Sequence, residues 1–408
     1  MELFFILLVV LIATRSLGEA AERLGQPALV GELVAGILLG TLAARYTDLF
    51  PQISGLNQSP VFQAITDLGM FFIMLFAGIE LQPNRLMEHS RGAIVVAGCG
   101  MVLPMLLGIA LGWVFLPAGE DFFAQALFLG VALAITAVPA TVRILVDLGK
   151  LESRSGQIIV SAAVFDDVFS LILLGWLTAL IGDEPAEAFA FGMLVFKVVA
   201  FFIITTVIGV FVFPLGGRIM HLFKQKEFEF SALLAAALAF SVLAELMGLH
   251  FIVGAFMAGL FFGRKTIDDF AYADVRNKTS AMTFGFLAPI FFASVGLHLD
   301  FNAIFVIPTF VLMLLLTAFL GKLIGAGMAA RYIGLSRPEA AAVGVGMSAR
   351  GAVELVIASI ALEAGLFATG PDTPAVIEHM FSAVVIMAVV TTLITPILLK
   401  RIYSGMSP

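Results

Sequence analysis

Residues 156–181 read GQIIVSAAVFDDVFSLILLGWLTALI, an apolar segment that carries two adjacent carboxylates near its centre. A helix needs about 20 mostly apolar residues to cross a bilayer, so this segment predicts a transmembrane helix. An ionisable group in a bilayer costs about 2.5–3.5 kcal/mol on insertion scales, and such groups are functional candidates by default. Asp166 and Asp167 are therefore the leading candidates for a functional site, because one carboxylate would suffice to bridge neighbouring helices.

The composition of the whole chain is that of a membrane protein. Of its 408 residues, 61% are hydrophobic and 12% are charged, and the mean hydropathy is +1.09. Soluble domains carry about 25% charged residues. The composition excludes a soluble enzyme, a disordered chain and a nucleic-acid-binding protein, and membrane lipid is the expected surrounding. The single cysteine, Cys99, excludes an intramolecular disulfide and a cysteine-based metal cluster.

The same length criterion gives about thirteen candidate spans, which predict an all-α polytopic membrane protein. One transmembrane domain is expected over residues 1–403, with a short cytoplasmic tail at 404–408. The candidate spans lie at 3–22, 28–43, 61–80, 92–116, 122–147, 156–181, 189–221, 228–247, 250–263, 280–297, 303–331, 339–365 and 379–403.

The placement of basic residues predicts how the chain is oriented. All but four of the 22 basic residues fall in the connections and the tail on one side of the predicted membrane. Cytoplasmic loops carry an excess of lysine and arginine, so this side is assigned to the cytoplasm. The N-terminus is then outside and the C-terminus cytoplasmic, in a bacterial-type inner membrane. Among the four exceptions, Lys322 and Arg350 lie inside predicted spans.

Thirteen spans divide into two halves of opposite orientation. Residues 1–181 form the first six-helix repeat, residues 189–221 a linker helix, and residues 228–403 the inverted repeat. Inverted 6+1+6 repeats are typical of secondary transporters, whose substrate sites are built from interrupted helices. Helices 5 and 12 occupy corresponding positions in the two halves, and both contain a weak segment.

The weak segments read AITAVPAT at 134–141 and GVGMSARG at 344–351. Pro139 removes a backbone hydrogen bond, and the hydroxyl group of Thr136 can serve the freed backbone groups or an ion. Carbonyl groups exposed by the breaks could bind a cation. The alternative is an ordinary proline kink and a glycine packing face. Arg350 and Glu354 are one turn apart, which favours a structural ion pair.

Lys322 lies about four turns into helix 11, in the sequence FLGKLIG at 319–325. An unpaired ammonium group at this depth requires a buried carboxylate partner, and Asp166 or Asp167 is the natural candidate. The alternative is that the side chain extends to the inner face, because Arg331 is only nine residues away.

Three stretches resemble the motifs of the monovalent cation–proton antiporter family. They read LGQPALVGELVAGILLG at 24–40, PIFFASVG at 289–296 and GMSARG at 346–351. The resemblance covers nearly the whole chain. It implies thirteen helices, a dimerisation domain, and a mobile core domain in which the broken helices 5 and 12 cross. It also implies an elevator-like movement of the core.

The resemblance assigns roles to four candidate residues. Asp166 and Asp167 match the paired acids of sodium/proton members, which would make Asp167 the Na⁺ ligand and proton carrier, with Asp166 also contributing to the metal site. Lys322 matches the membrane lysine of the family and would pair with Asp166. Potassium-efflux members carry Gln-Asp at the paired position. Members often have an acid after the Arg-Gly of helix 12, whereas this chain has Ala352 there.

The sequence thus predicts a sodium/proton antiporter, not an enzyme, in which the cation and protons compete at Asp167. Two protons per sodium would make transport electrogenic. The expected transported ions are H⁺ and Na⁺, with Li⁺ or K⁺ as alternatives to Na⁺. No cofactor and no ATP are expected, since the sequence contains neither a P-loop nor a nucleotide-binding fingerprint. A homodimer joined through glycine-rich helices 2 and 9 is expected. The alternatives are a potassium/proton antiporter, a cation channel, and an organic-anion carrier that uses Arg350.

Overall fold

The computed structural model describes most of the chain. The described residues are 2–46, 56, 59–80, 83–119, 121–181, 188–215, 227–262, 269–297, 301–351, 354, 357–358, 361, 366–367 and 373–406. No β-strand occurs within these ranges. The helices are α1 (Glu2–Arg23), α2 (Ala28–Arg45), α3 (Pro60–Glu80), α4 (Pro83–Phe115), α5 (Phe122–Ala134), α6 (Val138–Asp147), α7 (Arg154–Ile181), α8 (Ala188–Val207), α9 (Phe228–Leu246), α10 (Phe251–Phe261), α11 (Asp269–Met282), α12 (Ala288–Leu297), α13 (Asn302–Val306), α14 (Pro308–Tyr332), α15 (Arg337–Gly346), α16 (Ala375–Glu378) and α17 (Met380–Ser404).

Long apolar helices make up most of the described structure. Within the described ranges, nine helical stretches are long and apolar enough to cross a bilayer, and α2 and α10 are shorter apolar helices. Helix α7 covers the predicted span at 156–181. The prediction of an all-α membrane protein with many spans is confirmed. The count of thirteen spans and the inverted repeat stay predictions.

A tight turn separates α1 from α2, as the Gly-Gln-Pro sequence predicts. Gly25 has φ +72°, a left-handed conformation that glycine adopts without strain. Its N–H donates to the carbonyl of Glu22, and the N–H of Gln26 donates to the carbonyl of Ala21, both at 2.8 Å. This pattern closes the C-terminal end of α1. Pro27 then directly precedes the first residue of α2.

The predicted span at 122–147 is broken in its middle. Helix α5 ends at Ala134, residues 135–137 are not helical, and α6 begins at Val138. Pro139 lies in the first turn of α6, where its missing N–H is tolerated, but its ring would clash with the carbonyl four residues earlier in a continuous helix. The break therefore precedes the proline by a few residues.

The predicted span at 339–365 is broken as well. Helix α15 begins with a capping box, in which Ser336 and Glu339 bond to each other's backbone N–H groups, and it ends at Gly346. Residues 349–351 are not helical, and Glu354 is helical again. Ala352 lies outside the described residues. Two interrupted helices are therefore present at the positions that the sequence predicts.

Two other predicted spans differ in their bounds. The span expected at 303–331 is interrupted at Ile307, because Pro308 starts a new helix there. The span expected to begin at 280 begins at Asp269 and contains a π-helical turn at Thr283–Leu287. Residues 283–287 are apolar apart from one threonine, so the sequence alone does not distinguish a π turn from regular helix.

The chain forms two compact units. The first unit comprises residues 1–57, 89–187 and 292–408, and the second comprises residues 58–88 and 188–291. A large apolar core in the first unit surrounds α5 and includes side chains of α14 and α17. The second unit contains α3 and α8 to α11, and α3 packs along α10. Both broken helices belong to the first unit.

Glycines allow α2 to pack against α12 at backbone contact distance. A Cβ atom on Gly36 would lie 2.0 Å from the carbonyl oxygen of Ala293, and one on Gly296 would lie 2.5 Å from that of Leu33. Close approach of this kind is the usual role of small residues between membrane helices. Two of the sequence motifs, at 24–40 and 289–296, therefore bind each other.

The glycines on which a partner subunit was expected to pack serve contacts within the chain. A Cβ atom on Gly31 would lie 2.0 Å from the carbonyl oxygen of Leu17 in α1. Gly254 and Gly259 in α10 approach the backbones of α9 and α3 in the same way. Gly263 lies outside the described residues. These glycines therefore give no reason to place a dimer contact on α2 and α10, which are the predicted helices 2 and 9.

Replacing Gly36 with alanine should destabilise the protein, because the new Cβ has to separate α2 from α12. Overpacking of this kind typically costs about 1–3 kcal/mol. The matched control is Gly98→Ala in α4, where a Cβ atom would meet nothing within 4 Å. Thermal unfolding in detergent should show a lower midpoint for Gly36→Ala only. Equal midpoints for both variants would contradict the close contact.

Candidate ion-binding site

The two helix breaks meet each other inside the first unit. Three hydrogen bonds join them, and main-chain carbonyl groups of the second break accept all three. Ala137 N donates to Ala349 O at 2.9 Å, Thr136 Oγ1 to Met347 O at 2.9 Å, and Thr141 Oγ1 to Gly346 O at 3.1 Å. The first and last turns of a helix leave backbone groups without partners. In an apolar medium these groups must be satisfied within the protein, and here each break supplies partners for the other.

Arg350 donates a hydrogen bond to the C-terminal end of α5. Its side chain is fully buried, and its Nη2 donates to the carbonyl of Leu133 at 2.5 Å. That carbonyl lies in the last turn of α5, where the helix dipole concentrates partial negative charge. The main chain of Arg350 is held as well, because its N–H and its carbonyl both bond the hydroxyl of Thr392. A buried cation therefore compensates one half-helix.

Glu354 accepts a hydrogen bond on the opposite side of the second break. It is fully buried, and its Oε2 accepts the N–H of Gly351 at 2.7 Å. Its Oε1 lies 3.9 Å from Nε of Arg350, an ion pair too long for a hydrogen bond. A carboxylate beside the free N–H groups at the start of a helical segment is electrostatically favourable. Arg350 and Glu354 thus interact with each other and with the helix ends.

Lys322 from α14 reaches the first carboxylate of α7. Its Nζ lies 3.3 Å from Oδ2 and 3.4 Å from Oδ1 of Asp166, and neither side chain is exposed. The hydroxyl of Thr136, at the first helix break, also interacts with this carboxylate. A buried ammonium group without a carboxylate would be very costly, so each of these two charges stabilises the other.

Asp167 lies beside this pair and has no partner of its own within the described residues. Its side chain is 4% exposed, and neither of its carboxylate oxygens accepts a hydrogen bond from any described group. The charges that act on it are the carboxylates of Asp166 and Glu354. Burying an unpaired carboxylate is unfavourable unless it is protonated or binds a cation. The arrangement can therefore hold one proton or one small cation.

The sequence as a whole matches one family profile, described as "Sodium/hydrogen exchanger, transmembrane", over residues 6–404. The chain belongs to this family. The relatives found include the Na⁺/H⁺-K⁺ antiporter GerN of Bacillus cereus, 32% identical over 99% of this chain and 97% of its own length, and a Na⁺/H⁺ antiporter of Enterococcus hirae, 29% identical over 98% of both. The fold is similar to that of the sodium proton antiporter MjNhaP1 from Methanocaldococcus jannaschii, with a TM-score of 0.66 at 18% identity, over 99% of this chain and 98% of that one.

The exchanger fold brings together most of the residues that the sequence singles out. Around Asp166 it gathers Asp167, Thr136 and Lys322, and it places Arg350 and Glu354 at the helix ends. Pro139 is in the first turn of α6, and its contribution is the break itself.

One buried cluster of this exchanger was not predicted from the sequence. Arg143 is one of the basic residues that the charge analysis counted in the cytoplasmic connections, yet it is 4% exposed and lies within α6. It pairs with Asp147 in the same helix and with Glu32, which is 1% exposed, in α2. An acid inside the apolar span at 28–43 and the spacing of four between residues 143 and 147 are the signals that could have indicated it.

Removing either charge of the Arg350–Glu354 pair should destabilise the exchanger strongly. Arg350→Gln leaves a buried carboxylate and a helix end without a cation, and Glu354→Gln leaves the guanidinium without its anion, so each change should cost about 3–5 kcal/mol. The double variant should cost clearly less than the sum, because it leaves no unpaired charge.

Thermal unfolding of the two single variants and the double variant provides the test. The matched control is the Glu19–Arg23 pair in α1, which has the same spacing of four but is exposed. Exposed pairs contribute about 0.2–1 kcal/mol, so Arg23→Gln should hardly change the midpoint. Strictly additive losses at residues 350 and 354 would contradict the coupling.

Proposed function

We propose that the protein is a secondary-active Na⁺/H⁺ antiporter in which the cation and protons compete for Asp167. The observation that carries this proposal is the contrast between two adjacent carboxylates. Asp166 is paired with Lys322, whereas both oxygens of Asp167 are buried without a hydrogen-bond donor among the described residues. The sodium/hydrogen exchanger profile and the antiporter names of the relatives support the same reaction.

Competition follows from the charge on Asp167. When its carboxylate is ionised, a small cation stabilises it through oxygen coordination; when no cation is present, a proton neutralises it. The two ligands exclude each other because each removes the negative charge that binds the other. Neither exchange needs ATP, because a gradient of one ion can drive the other once the site opens to each side in turn.

The cross-bonded breaks support an elevator-type movement of the site. Hydrogen bonds from Ala137 and Thr136, together with the bond from Arg350 to Leu133, tie the two broken helices to each other. Separating them would expose buried donors and acceptors. We therefore infer that the broken helices cross at residues 137 and 349 and move as one body that carries Asp166 and Asp167.

Potassium is the second candidate for the transported cation. The name of GerN includes K⁺ as well as Na⁺, and an unpartnered carboxylate does not select ion size by itself. An ion panel of Na⁺, Li⁺ and K⁺ in proteoliposomes, read by quenching of a pH-sensitive dye, separates the two antiporters. An organic-anion carrier is less well supported, because Arg350 already serves Leu133 and Glu354.

We also propose a homodimer in an inner membrane, with the N-terminus outside and the C-terminus cytoplasmic. The asymmetry of basic residues supports the orientation. An elevator requires a static surface against which the core moves, which supports the dimer. The dimer contact is expected on surfaces other than the glycine faces of α2 and α10, since these pack within the chain.

Asp167→Asn should abolish cation-dependent proton movement while leaving a folded, membrane-inserted protein. The amide cannot carry the proton and has no charge to bind the cation. The variant should still fold, because the substitution removes the cost of burying a charged carboxylate. The measurement is dye quenching in proteoliposomes with each of the three cations, together with thermal unfolding to confirm the fold.

The matched control for this variant is Asp121→Asn. Asp121 precedes α5 and is exposed, and its side chain makes no capping hydrogen bond. It should exchange ions at the wild-type rate. Coupled exchange by Asp167→Asn at a rate near that of Asp121→Asn would refute the assignment of Asp167.

Transport should be electrogenic, with two protons moved per sodium ion. In the proton-loaded form Asp167 is neutral, and Lys322 is charged and paired with Asp166. In the sodium-loaded form both carboxylates are ionised around the cation, and Lys322 has given up its proton. Burial makes this loss possible because a low-dielectric environment disfavours the charged ammonium group.

A membrane potential imposed on proteoliposomes tests the stoichiometry. Wild-type exchange should respond to the potential, and a Lys322→Gln variant that still transports should lose the response. Lys278→Gln is the control, because Lys278 is paired with Asp274 and Glu227 in the second unit. Wild-type exchange that is indifferent to the potential would show that one proton is exchanged per sodium ion.

A further inference from the structure

Helix α17 carries three buried threonines close together, and one of them bonds a distant part of the chain. Thr391 and Thr395 donate their hydroxyl groups to the carbonyls of Met387 and Thr391, at 2.8 and 2.7 Å. Bonds of this kind, four residues back along the same helix, are common for threonine. The hydroxyl of Thr392 instead bonds the main chain of Arg350, in the second helix break.

This single hydroxyl group bonds both main-chain groups of Arg350. The N–H of Arg350 donates to Thr392 Oγ1 at 3.0 Å, and the same hydroxyl donates its proton to the carbonyl of Arg350. A hydroxyl can accept and donate at the same time. Residues 349–351 are not helical, so the main chain here lacks the regular pattern of helix hydrogen bonds. Thr392 is 1% exposed, and its two bonds are therefore shielded from solvent.

The main chain next to Arg350 in turn holds the first helix break. The carbonyl of Ala349 accepts the N–H of Ala137 at 2.9 Å. Thr136, which precedes Ala137, also donates to a carbonyl of the second break and interacts with the first carboxylate of α7. A shift of the main chain at residue 350 would therefore be passed on to Thr136 and to the surroundings of the paired carboxylates.

Helix α17 is a suitable support for this contact because it is also fixed to other helices around the site. It packs along α14, which carries Lys322, and along α15, which leads into the second break. Near the C-terminal end of α17, the hydroxyl of Tyr403 lies 3.0 Å from that of Ser155, at the start of α7. Thr392 thus sets the position of residue 350 relative to the helices that carry the buried charges.

We propose that Thr392 is a positioning residue for cation binding. Its hydroxyl holds the second break at residue 350, and the first break, which is bonded to the second, keeps Thr136 beside the carboxylates of α7. Thr392 acts through the main chain of Arg350 rather than by touching the ion. The proposal rests on the antiporter function for the identity of the ligand, which is the cation that competes with protons at Asp167.

Thr392→Val is the decisive variant. Valine is close to threonine in shape but has no hydroxyl, so the packing is kept while the main chain of Arg350 loses an acceptor and a donor. The apparent KM for Na⁺ should rise by about tenfold, a typical loss for residues that orient metal ligands. Turnover at saturating Na⁺, per folded protein, should stay close to that of the wild type. Dye quenching in proteoliposomes over a range of Na⁺ concentrations, at one alkaline pH where protons compete least, gives both values.

Thr391→Val is the matched control, and Thr392→Ser is the rescue. Thr391 is equally buried, but its hydroxyl bonds carbonyls of its own helix, so its loss should leave KM unchanged. Serine keeps the hydroxyl and should restore the KM of the wild type. A wild-type KM in Thr392→Val would overturn the proposal, and so would an equal rise in Thr391→Val or a failure of serine to restore it.

If Thr392→Val does not fold, Thr392→Cys decides in its place, because a thiol donates and accepts only weakly. Its KM should rise in the same direction, and a KM equal to that of the wild type would overturn the role of Thr392. A purely structural contact would lower the midpoint of thermal unfolding and the amount of folded protein, but it would leave the KM of the folded protein unchanged.

Hydrogen–deuterium exchange in detergent, followed by mass spectrometry, tests the positioning without transport. Uptake at residues 344–351 and 134–141 should be faster in Thr392→Val than in Thr391→Val, because the second break is held less firmly and the first depends on it. Equal uptake in the two variants would overturn the proposal. Absence of ion exchange in the wild type with all three cations would instead refute the antiporter function, and amide exchange would still decide whether Thr392 holds the breaks in place.

Discussion

Backbone groups at the ends of two broken helices impose the constraint on which the site depends. Pro139 prevents α5 and α6 from forming one helix, and residues 349–351 interrupt the second. Inside a bilayer no water is available to satisfy the freed donors and acceptors. The bond from Ala137 to Ala349 shows the solution, in which each break is the hydrogen-bonding partner of the other.

The placement of the buried charged side chains follows from this backbone arrangement. The C-terminal end of α5 needs a cation, and Arg350 provides it at Leu133. The N–H of Gly351, at the second break, needs an acceptor, and Glu354 provides it. Lys322 and Asp166 neutralise each other in the same region. After these pairings Asp167 is left over, as the carboxylate that none of the described cations neutralises by direct contact. The proposed ion-binding carboxylate is thus the one left unpaired in a nearly balanced set of buried charges.

Much of this could be predicted from the sequence, and the rest could not, for physical reasons. Some residues break the apolar pattern of a membrane helix locally: carboxylates inside a span, a proline in a helix and a lysine far from a helix end. Asp166, Pro139 and Lys322 can therefore be identified from the sequence alone. Arg143 was misassigned because it follows the apolar part of its span, and its burial depends on α2, which lies far away in sequence. The glycine contacts of Gly36 and Gly254 were likewise attributed to a partner subunit, because a small residue shows that a backbone approaches but not which one.

The short length of α6 explains how an ion pair at one of its ends can affect the site at the other. Ten helical residues span about 15 Å, and a helix of that length transmits displacement without bending. Its N-terminal end is bonded to the second break through Thr136 and Thr141, so α6 cannot tilt without taking α15 with it. A displacement of α6 therefore acts on the whole cross-bonded body rather than on one helix. Because the carboxylate of Asp166 interacts with Thr136 at that junction, such a displacement also reaches the buried carboxylates of α7.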